Sequence, residues 1–114
     1  MQGSMGSLPA LAAVAVVLTL VQGGCTGNPS HESGKSGEEL FRLYCSGCHP
    51  NGGNVIYPQK SLDRMTLTAN GVTKPDDIVA LMRNPGRGMK KFDRGTISDK
   101  DAMAIAQYVF GSFK

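Results

Sequence analysis

The most informative segment of this 114-residue chain is Cys45-Ser46-Gly47-Cys48-His49. It places two thiols about one helical turn apart and an imidazole directly after the second thiol. Thiols at this spacing can add to the two vinyl groups along one edge of a porphyrin, and the adjacent histidine then lies beneath the iron. The segment therefore predicts a covalently attached haem c, with Cys45 and Cys48 as attachment points and His49 as an axial ligand of the iron.

The same pattern of two cysteines and a histidine has three other interpretations. A thioredoxin-like dithiol needs a βαβ context, and a zinc site needs four ligands, which a chain with no second Cys/His pair does not offer. A disulfide between Cys45 and Cys48 is compatible with an exported chain, but it leaves His49 without a role. Haem attachment is the interpretation that uses all three side chains.

The chain around this segment is predicted to be helical. Four helices are indicated: Glu38 to about Cys45, Ser61 to Asn70, the capping sequence Thr73-Lys74-Pro75-Asp76 to Asn84-Pro85, and Ser98 to about Phe113. No segment shows the alternation of polar and apolar residues that is typical of strands. The predicted fold class is therefore all-α, with about four helices around one haem.

Each helix is expected to turn one apolar face inward. In chain order, the inward residues are Leu40, Phe41 and Tyr44; Leu62, Met65 and Ala69; Ile78, Leu81 and Met82; and Ala102, Ile105, Ala106, Val109, Phe110 and Phe113. The last helix has the most regular pattern. About 90 residues without a tryptophan form only a thin core, so a haem would supply much of the buried surface.

The first 30 residues carry no Asp, Glu, Lys or Arg, and residues 8–21 form one apolar block. The block has the length of a signal-peptide core and is shorter than the ~20 residues that cross a bilayer. Residues 1–24 are therefore predicted to be a signal peptide. Their end, Leu20-Val21-Gln22-Gly23-Gly24 before Cys25, resembles a bacterial lipobox, in which Cys25 is lipidated. Ordinary signal cleavage in this glycine-rich stretch is the alternative.

Residues 25–36 are rich in Gly, Ser, Asn and Pro and lack an apolar period, so they are predicted to be a flexible tether. The folded domain is then residues 37–114. Export would place it in the periplasm or at the extracytoplasmic face of the membrane, where a lipid on Cys25 would be its one membrane attachment.

The haem iron needs a second axial ligand. The candidates are Met65, Met82, Met89, Met103 and His31. Three of the methionines lie on or beside apolar helix faces, where methionine usually fills the core, and the histidine lies in the predicted tether. Met89 instead lies in an inter-helix loop whose glycines and proline let the backbone approach a flat porphyrin closely. We therefore predict His49/Met89 ligation, which raises the potential relative to His/His and leaves no open site.

Several further motifs belong to one pattern. They are Gly37 and Phe41, Gly52-Gly53-Asn54-Val55-Ile56, Lys60-Ser61-Leu62, the loop methionine Met89, and Tyr108 in the last helix. With them, residues 37–114 resemble a class I c-type cytochrome and are most similar to the small cytochrome c6 group. The resemblance implies that the first helix crosses the last, with Gly37 and Phe41 meeting Tyr108. Members of the group usually have proline after the ligand methionine, where this chain has Lys90.

This resemblance implies an electron carrier and not an enzyme. The carrier would be exported and would exchange single electrons with a donor and an acceptor protein by outer-sphere transfer at an exposed haem edge. Two other functions stay open. A haem sensor or peroxidase-like protein would have an open iron site, without ligation by Met89. A structural subunit of a larger electron-transfer complex would associate stably with other chains.

The chain is mildly basic, with a formal net charge of +3, and it shows no nucleic-acid-binding pattern. Four basic residues, Arg87, Lys90, Lys91 and Arg94, surround the predicted ligand Met89. We expect them to orient an acidic redox partner at the haem edge, mainly by raising the rate of association. The alternative is a set of solvated loop charges without a partner, which is common on protein surfaces.

Overall fold

The computed structural model of the protein describes residues 32–114, together with Gly3 and Gly6. These residues form four α-helices, α1 (Gly37–Tyr44), α2 (Arg64–Ala69), α3 (Pro75–Arg83) and α4 (Asp99–Ser112), and two 3₁₀ turns, Pro50–Gly52 and Pro58–Lys60. This part of the chain contains no strand, and none of its helices is long and apolar enough to cross a membrane. The all-α prediction is confirmed, whereas the predicted signal peptide, Cys25 and His31 lie outside the described residues.

Helix α1 begins with a reciprocal cap. The hydroxyl of Ser36 accepts a hydrogen bond from the Glu39 N–H at 3.2 Å, and the Glu39 carboxylate accepts one from the Ser36 N–H at 2.8 Å. Each bond satisfies a backbone donor at the helix start, where no intrahelical partner exists. The cap fixes the first helical residue at Gly37, one residue before the predicted start at Glu38.

Helix α1 crosses α4 at a glycine. A Cβ added to Gly37 would lie 2.1 Å from the carbonyl oxygen of Ala104, so a larger residue would push the two helices apart. One turn later, the ring of Phe41 packs on those of Tyr108 and Phe113, with centroids 5.4 Å apart in both pairs. The crossing that the resemblance implied is therefore confirmed, and it places the end of α1 against the C-terminal half of α4.

Helix α4 is central to the core because it packs against both α1 and α3. Its pattern was predicted correctly at the buried residues Ala102, Ile105, Ala106 and Val109 and at the half-buried Phe110 and Phe113. Helix α3 contributes Ile78 and Met82, but Leu81, which we expected to face inward, is 41% exposed. Consecutive helical residues point about 100° apart, so Leu81 is turned away from the core when its neighbour Met82 points into it.

Helix α2 is shorter than predicted and turns a different face to the core. The prediction was a helix over 61–70 with Leu62, Met65 and Ala69 inward. The Asp63 carboxylate accepts a hydrogen bond from the Thr66 N–H at 2.9 Å, and this cap starts the helix at Arg64. Leu67 is the buried residue of α2, and Met65 is 81% exposed. Met65 therefore does not fill the core, because the late start of the helix leaves it on the outer face.

The last part of the predicted tether contacts α4. The Ser33 N–H donates to the Asp101 carboxylate at 3.0 Å, and the Lys100 ammonium lies 2.8 Å from the Glu32 carboxylate. Asp101 is buried, so its bond to Ser33 is shielded from water. Helix α4 thus holds the chain just before it enters α1.

Candidate haem site

The cysteine–histidine segment, residues 45–53, begins where α1 ends. The N–H groups of Cys45 and the next residue both donate to the Phe41 carbonyl, at 2.8 and 3.0 Å, so the segment turns directly out of the helix. The N–H groups of Cys48 and His49 then donate to the Cys45 carbonyl at 3.2 and 2.9 Å. These main-chain bonds hold the two cysteines one turn apart, which is the spacing that attachment along one porphyrin edge requires.

The two thiols differ in their surroundings. Both are free, but Cys45 is half-buried against the core and Cys48 is exposed. Burial raises the pKa of the Cys45 thiol to about 11, and the neighbouring Cys48 adds to the shift. Cys45 is therefore a neutral thiol near pH 7.

The ring of His49 is oriented by a main-chain carbonyl. Its Nδ1 lies 2.7 Å from the carbonyl oxygen of Gly53. A carbonyl can only accept, so this bond requires the proton on Nδ1 and leaves the lone pair of Nε2 available for a metal. A ligand histidine is typically fixed in this way, because the bond sets both the tautomer and the direction of the ring.

Gly52 holds this turn against the end of α4. Its φ is +80°, and an added Cβ would lie 2.5 Å from the ring of Phe113. The Gly53 N–H donates to the Pro50 carbonyl at 2.9 Å, which places the Gly53 carbonyl beneath His49. Sequence reasoning identified this glycine pair only as part of a resemblance, and the support it gives to His49 was missed.

The chain after the turn passes back along the segment. The Val55 N–H donates to the Cys48 carbonyl at 3.0 Å, and the Asn54 side chain accepts from the N–H groups of Ile56 and Tyr57 at 3.0 and 2.8 Å. Val55 is 59% exposed and Ile56 is 49% exposed, although both are apolar. Val55 and Ile56 therefore form an apolar surface next to Cys48.

The Met89 loop, residues 84–98, joins α3 to α4. Met89 is half-buried and packs against the core. The φ of Gly88 is +86°, and an added Cβ would lie 2.6 Å from the ring of Tyr57 and 3.5 Å from Ile56. The loop therefore lies against the same residues that follow Cys48. Tyr57 was not predicted as part of the site. The one feature of the sequence that could have indicated this contact is Gly88, whose lack of a side chain makes room for the Tyr57 ring.

The other methionines have different positions. Met82 is 2% exposed inside the core, Met65 lies on the outer face of α2, and Met103 is half-buried within α4. Met89 is thus the loop-borne methionine of the described chain, as predicted. His31, the remaining candidate, lies outside the described residues.

The residues present fit a haem. Two free thiols one turn apart and an imidazole with Nε2 available are the groups that covalent attachment and axial ligation of a haem need, and a half-buried thioether is of the type that serves as a second axial ligand. Large apolar side chains are exposed at Tyr44, Val55 and Ile56, next to the two cysteines. A flat apolar macrocycle would cover such a surface, which is unusual when left in water.

The basic residues of the Met89 loop are exposed. Arg94 pairs with Asp99 through Nε and Oδ2 at 2.9 Å, and the Lys90 ammonium lies 5.6 Å from the centroid of the Phe92 ring. Arg87 and Lys91 form no ion pair within residues 32–114. These four basic residues, Arg87, Lys90, Lys91 and Arg94, are the predicted docking patch. Because Arg94 is paired, the charge of the patch comes mainly from the other three.

An open depression of about 830 Å³ lies elsewhere on the surface. Its lining consists of Arg64, Met65, Thr68, Ala69 and Lys114. Met65 was only a rejected candidate for the axial ligand, and the depression contains none of Cys45, Cys48, His49 and Met89.

Comparison with known proteins finds relatives among c-type cytochromes. The profile of the family described as cytochrome c oxidase, cbb3-type, subunit III matches residues 32–109. Cytochrome c6 of Bumilleriopsis filiformis is 37% identical over 75 residues, which are 66% of this chain and 86% of that protein.

Two solved structures have the same fold. Outer membrane cytochrome F from Geobacter sulfurreducens has a TM-score of 0.68 and 46% identity, covering 69% of this chain and all of that one. Cytochrome c6 from the diatom Phaeodactylum tricornutum has a TM-score of 0.61 and 32% identity, covering 67% of this chain and 88% of that one.

The chain belongs to the family of small class I c-type cytochromes, the all-α proteins that carry a covalently attached haem c. Within this class it is similar to cytochrome c6. It is a haem-containing electron carrier and not an enzyme. The resemblance identified from the sequence is thereby confirmed.

Proposed function

We propose that this protein is an exported carrier that moves single electrons between two redox proteins by outer-sphere transfer. In this proposal Cys45 and Cys48 attach the haem, and His49 and Met89 bind its iron. The observation that carries the proposal is the 2.7 Å contact between His49 Nδ1 and the Gly53 carbonyl, directly after two free thiols. When bound, the haem supplies a ferric/ferrous couple that accepts and releases one electron.

The residues of the chain keep the site unchanged between the two oxidation states. Gly53 holds the His49 ring in one orientation, and Tyr57 lies against Gly88 next to Met89. Two ligands that remain in place keep the reorganisation between oxidation states small. They also leave no open position for a substrate, which favours a carrier over a sensor or a peroxidase-like protein.

The assignment of Met89 can be tested by replacing it. We expect Met89→Ala to lose the sulfur-to-iron charge-transfer band at the red end of the ferric spectrum, to lower the reduction potential and to bind carbon monoxide in the ferrous state. The control is Met65→Ala, because Met65 is 81% exposed on α2 and its removal should leave the spectrum unchanged. A Met89→Ala variant with an unchanged low-spin spectrum would assign the sixth ligand to another residue.

A second candidate function is that of a subunit of a larger complex. The observation in its favour is the matching family profile, whose description names a subunit of a cbb3-type oxidase. Gel filtration of a native extract separates the two candidates. A free carrier elutes at the mass of one mature chain, which is below the 12.0 kDa of the full sequence once residues 1–24 are removed, whereas a subunit elutes with its complex.

We further propose that residues 1–24 direct export and that the mature protein lies in the periplasm or at the extracytoplasmic face of the membrane. The apolar block and the small residues before Cys25 support this proposal, and one relative is named an outer membrane cytochrome. Stable anchoring would need more than one acyl chain on Cys25, because a single chain binds only marginally. Mass spectrometry of the mature N-terminus tests whether Cys25 carries a lipid, and a free, unmodified N-terminal residue rules the lipid out.

The partners of this carrier are proposed to present an acidic face. Arg87, Lys90 and Lys91 are exposed around Met89, next to the proposed haem edge. Charges at this position would raise the association rate with an acidic donor or acceptor, and salt would weaken the effect because the Debye length is about 10 Å at 0.1 M.

A further inference from the structure

The Met89 loop has little local rigidity around its methionine. Lys90 follows Met89, and Gly86 and Gly88 precede it. Glycine allows more backbone conformations than any other residue, and lysine does not restrict φ as proline does. The position of Met89 must therefore depend on contacts made elsewhere in the loop.

Phe92, three residues after Met89, supplies the anchor. Its N–H donates to the Met82 carbonyl at 2.9 Å, and its carbonyl accepts a hydrogen bond from Arg83 Nη1 at 3.1 Å. Both main-chain groups of this one residue are thus bonded to the end of α3. The Phe92 side chain is buried as well, so this point of the loop is fixed in three ways.

Arg83 also reaches the start of α4. Its Nη2 lies 2.8 Å from Asp99 Oδ1, while Arg94 Nε binds the other oxygen of the same carboxylate at 2.9 Å. One guanidinium therefore connects the end of α3, the anchor of the Met89 loop and the first residue of α4. The planar fork of arginine can hold two acceptors in fixed directions, which a lysine ammonium cannot do as well.

The third nitrogen of this guanidinium, Nε, is buried and has no hydrogen-bond partner among the described residues. The hydrogen bonds of Arg83 to the loop and to α4 therefore come from Nη1 and Nη2.

We infer that Arg83 is a positioning residue that holds the Met89 loop in place and so keeps the Met89 thioether on the haem iron. The inference rests on the proposed role of Met89 as the sixth ligand. Loss of the bond from Arg83 to the Phe92 carbonyl removes one of the three contacts that fix the loop at Phe92, and Met89 then spends a larger fraction of time away from the iron.

Imidazole binding to the ferric holoprotein measures this fraction. Imidazole can bind the iron only when Met89 has left, so its apparent affinity rises in proportion to the methionine-off population. We expect Arg83→Gln to bind imidazole about tenfold more tightly than the wild type, because the variant loses hydrogen bonds made by a charged group. The matched control, Arg94→Gln, removes a bond to the same Asp99 without touching Phe92, and we expect a change of less than about twofold.

A second variant covers the case in which Arg83→Gln does not yield folded holoprotein. Arg83→Lys keeps the charge but replaces two separate donor nitrogens by one, so it holds Phe92 and Asp99 less well, and we expect it to bind imidazole severalfold more tightly than the wild type. If Arg83→Lys or Arg83→Gln binds imidazole as Arg94→Gln does, the positioning role is wrong.

The variant Met89→Ala shows whether a negative result concerns Arg83 or the assignment of Met89 as the sixth ligand. Tighter imidazole binding by Met89→Ala, with unchanged Arg83 variants, would overturn the role of Arg83 alone. Equal imidazole affinity of Met89→Ala and the wild type would overturn Met89 as ligand, and the inference with it.

Discussion

The cysteine–histidine segment and the Met89 loop supply the two sets of ligands by different means. In the segment, each hydrogen bond that places Cys45, Cys48 and His49 joins residues at most seven positions apart. In the loop, Met89 depends on contacts with α3, with α4 and with Tyr57, which are distant in sequence. The first set of ligands is held by local structure, and the second is held by tertiary packing.

This difference assigns different roles to the two axial ligands. Structure that depends on few contacts at exposed positions opens at a lower free-energy cost than structure within the core. We therefore expect Met89 to leave the iron under milder conditions than His49. A carrier built in this way retains its haem when the Met89 loop opens, because the cysteines and His49 remain in place.

The largest expected effect comes from a pair of glycine substitutions, one in each region. Gly52→Ala places a Cβ 2.5 Å from the ring of Phe113, which packs on Phe41 and Tyr108, at a φ of +80°, and we expect a loss of about 2–4 kcal/mol in the free energy of unfolding. Gly88→Ala meets the Tyr57 ring at 2.6 Å, but this ring packs on no other aromatic ring of the described residues and can move, so we expect about 1–2 kcal/mol. Denaturant unfolding of the holoproteins measures both losses.

Gly71→Ala is the control for the cost of the backbone alone. Its φ is also +80°, and no atom lies within 4 Å of the added Cβ. We expect a loss of about 1 kcal/mol. The comparison between the two regions fails if Gly88→Ala lowers the free energy of unfolding as much as Gly52→Ala, or if it leaves the charge-transfer band intact where Gly52→Ala removes it.

A smaller, pH-dependent effect is expected at Asp99. Hydrogen bonds from Arg83 and Arg94 lower the pKa of this carboxyl from its ordinary value of 3.8. A depressed pKa means that Asp99 contributes stability above about pH 4 and that this contribution is lost as the pH falls through the folded-state value. Asp99→Asn should therefore lower the denaturant concentration at which the charge-transfer band disappears near pH 6, and the difference from wild type should shrink below about pH 4.

Asp63 offers the matched control for this prediction. Its pKa is lowered to about 2, chiefly by the hydrogen bond from Ser61, but it caps α2 and does not contact the Met89 loop. Asp63→Asn should have the same sign of pH dependence in global unfolding while the band and the helical signal disappear together. If the charge-transfer band and the helical signal also disappear together in Asp99→Asn, the Met89 loop does not open before the rest of the fold.

The smallest expected effect concerns the charges on the loop surface. Reversal of Lys90 and Lys91 to Glu should slow electron transfer to an acidic partner severalfold at low salt, with little change in potential. The control is the double reversal Lys35→Glu/Lys74→Glu, which changes the net charge equally at exposed positions outside the Met89 loop. A rate that responds equally to both double variants, or to neither, would reduce the patch to ordinary surface.

The local part of the site could be predicted from the sequence, and the tertiary part could not. The spacing of Cys45, Cys48 and His49 determines their geometry, because short-range hydrogen bonds alone produce it. The packing of Tyr57 on Gly88 and the bonds of Arg83 join residues 9 to 31 positions apart, and no periodicity encodes such pairs.

The regular helices were also easier to predict than the short one. Helix α4 has 14 residues and an apolar pattern that repeats over several turns. Helix α2 has six residues, so the cap at Asp63, and not a repeated pattern, decides which face is buried. A helix of that length carries too few residues for a periodicity to be measured.

The crossing of α1 and α4 has a consequence for the order of events during synthesis. Gly37 and Phe41 find their packing partners at Ala104, Tyr108 and Phe113, about 70 positions later in the chain. The core around α1 therefore cannot close until α4 has been synthesised, since these are the first and the last of the described helices. A core that stays open until then suits the export that we propose, because a chain crosses a translocation channel unfolded.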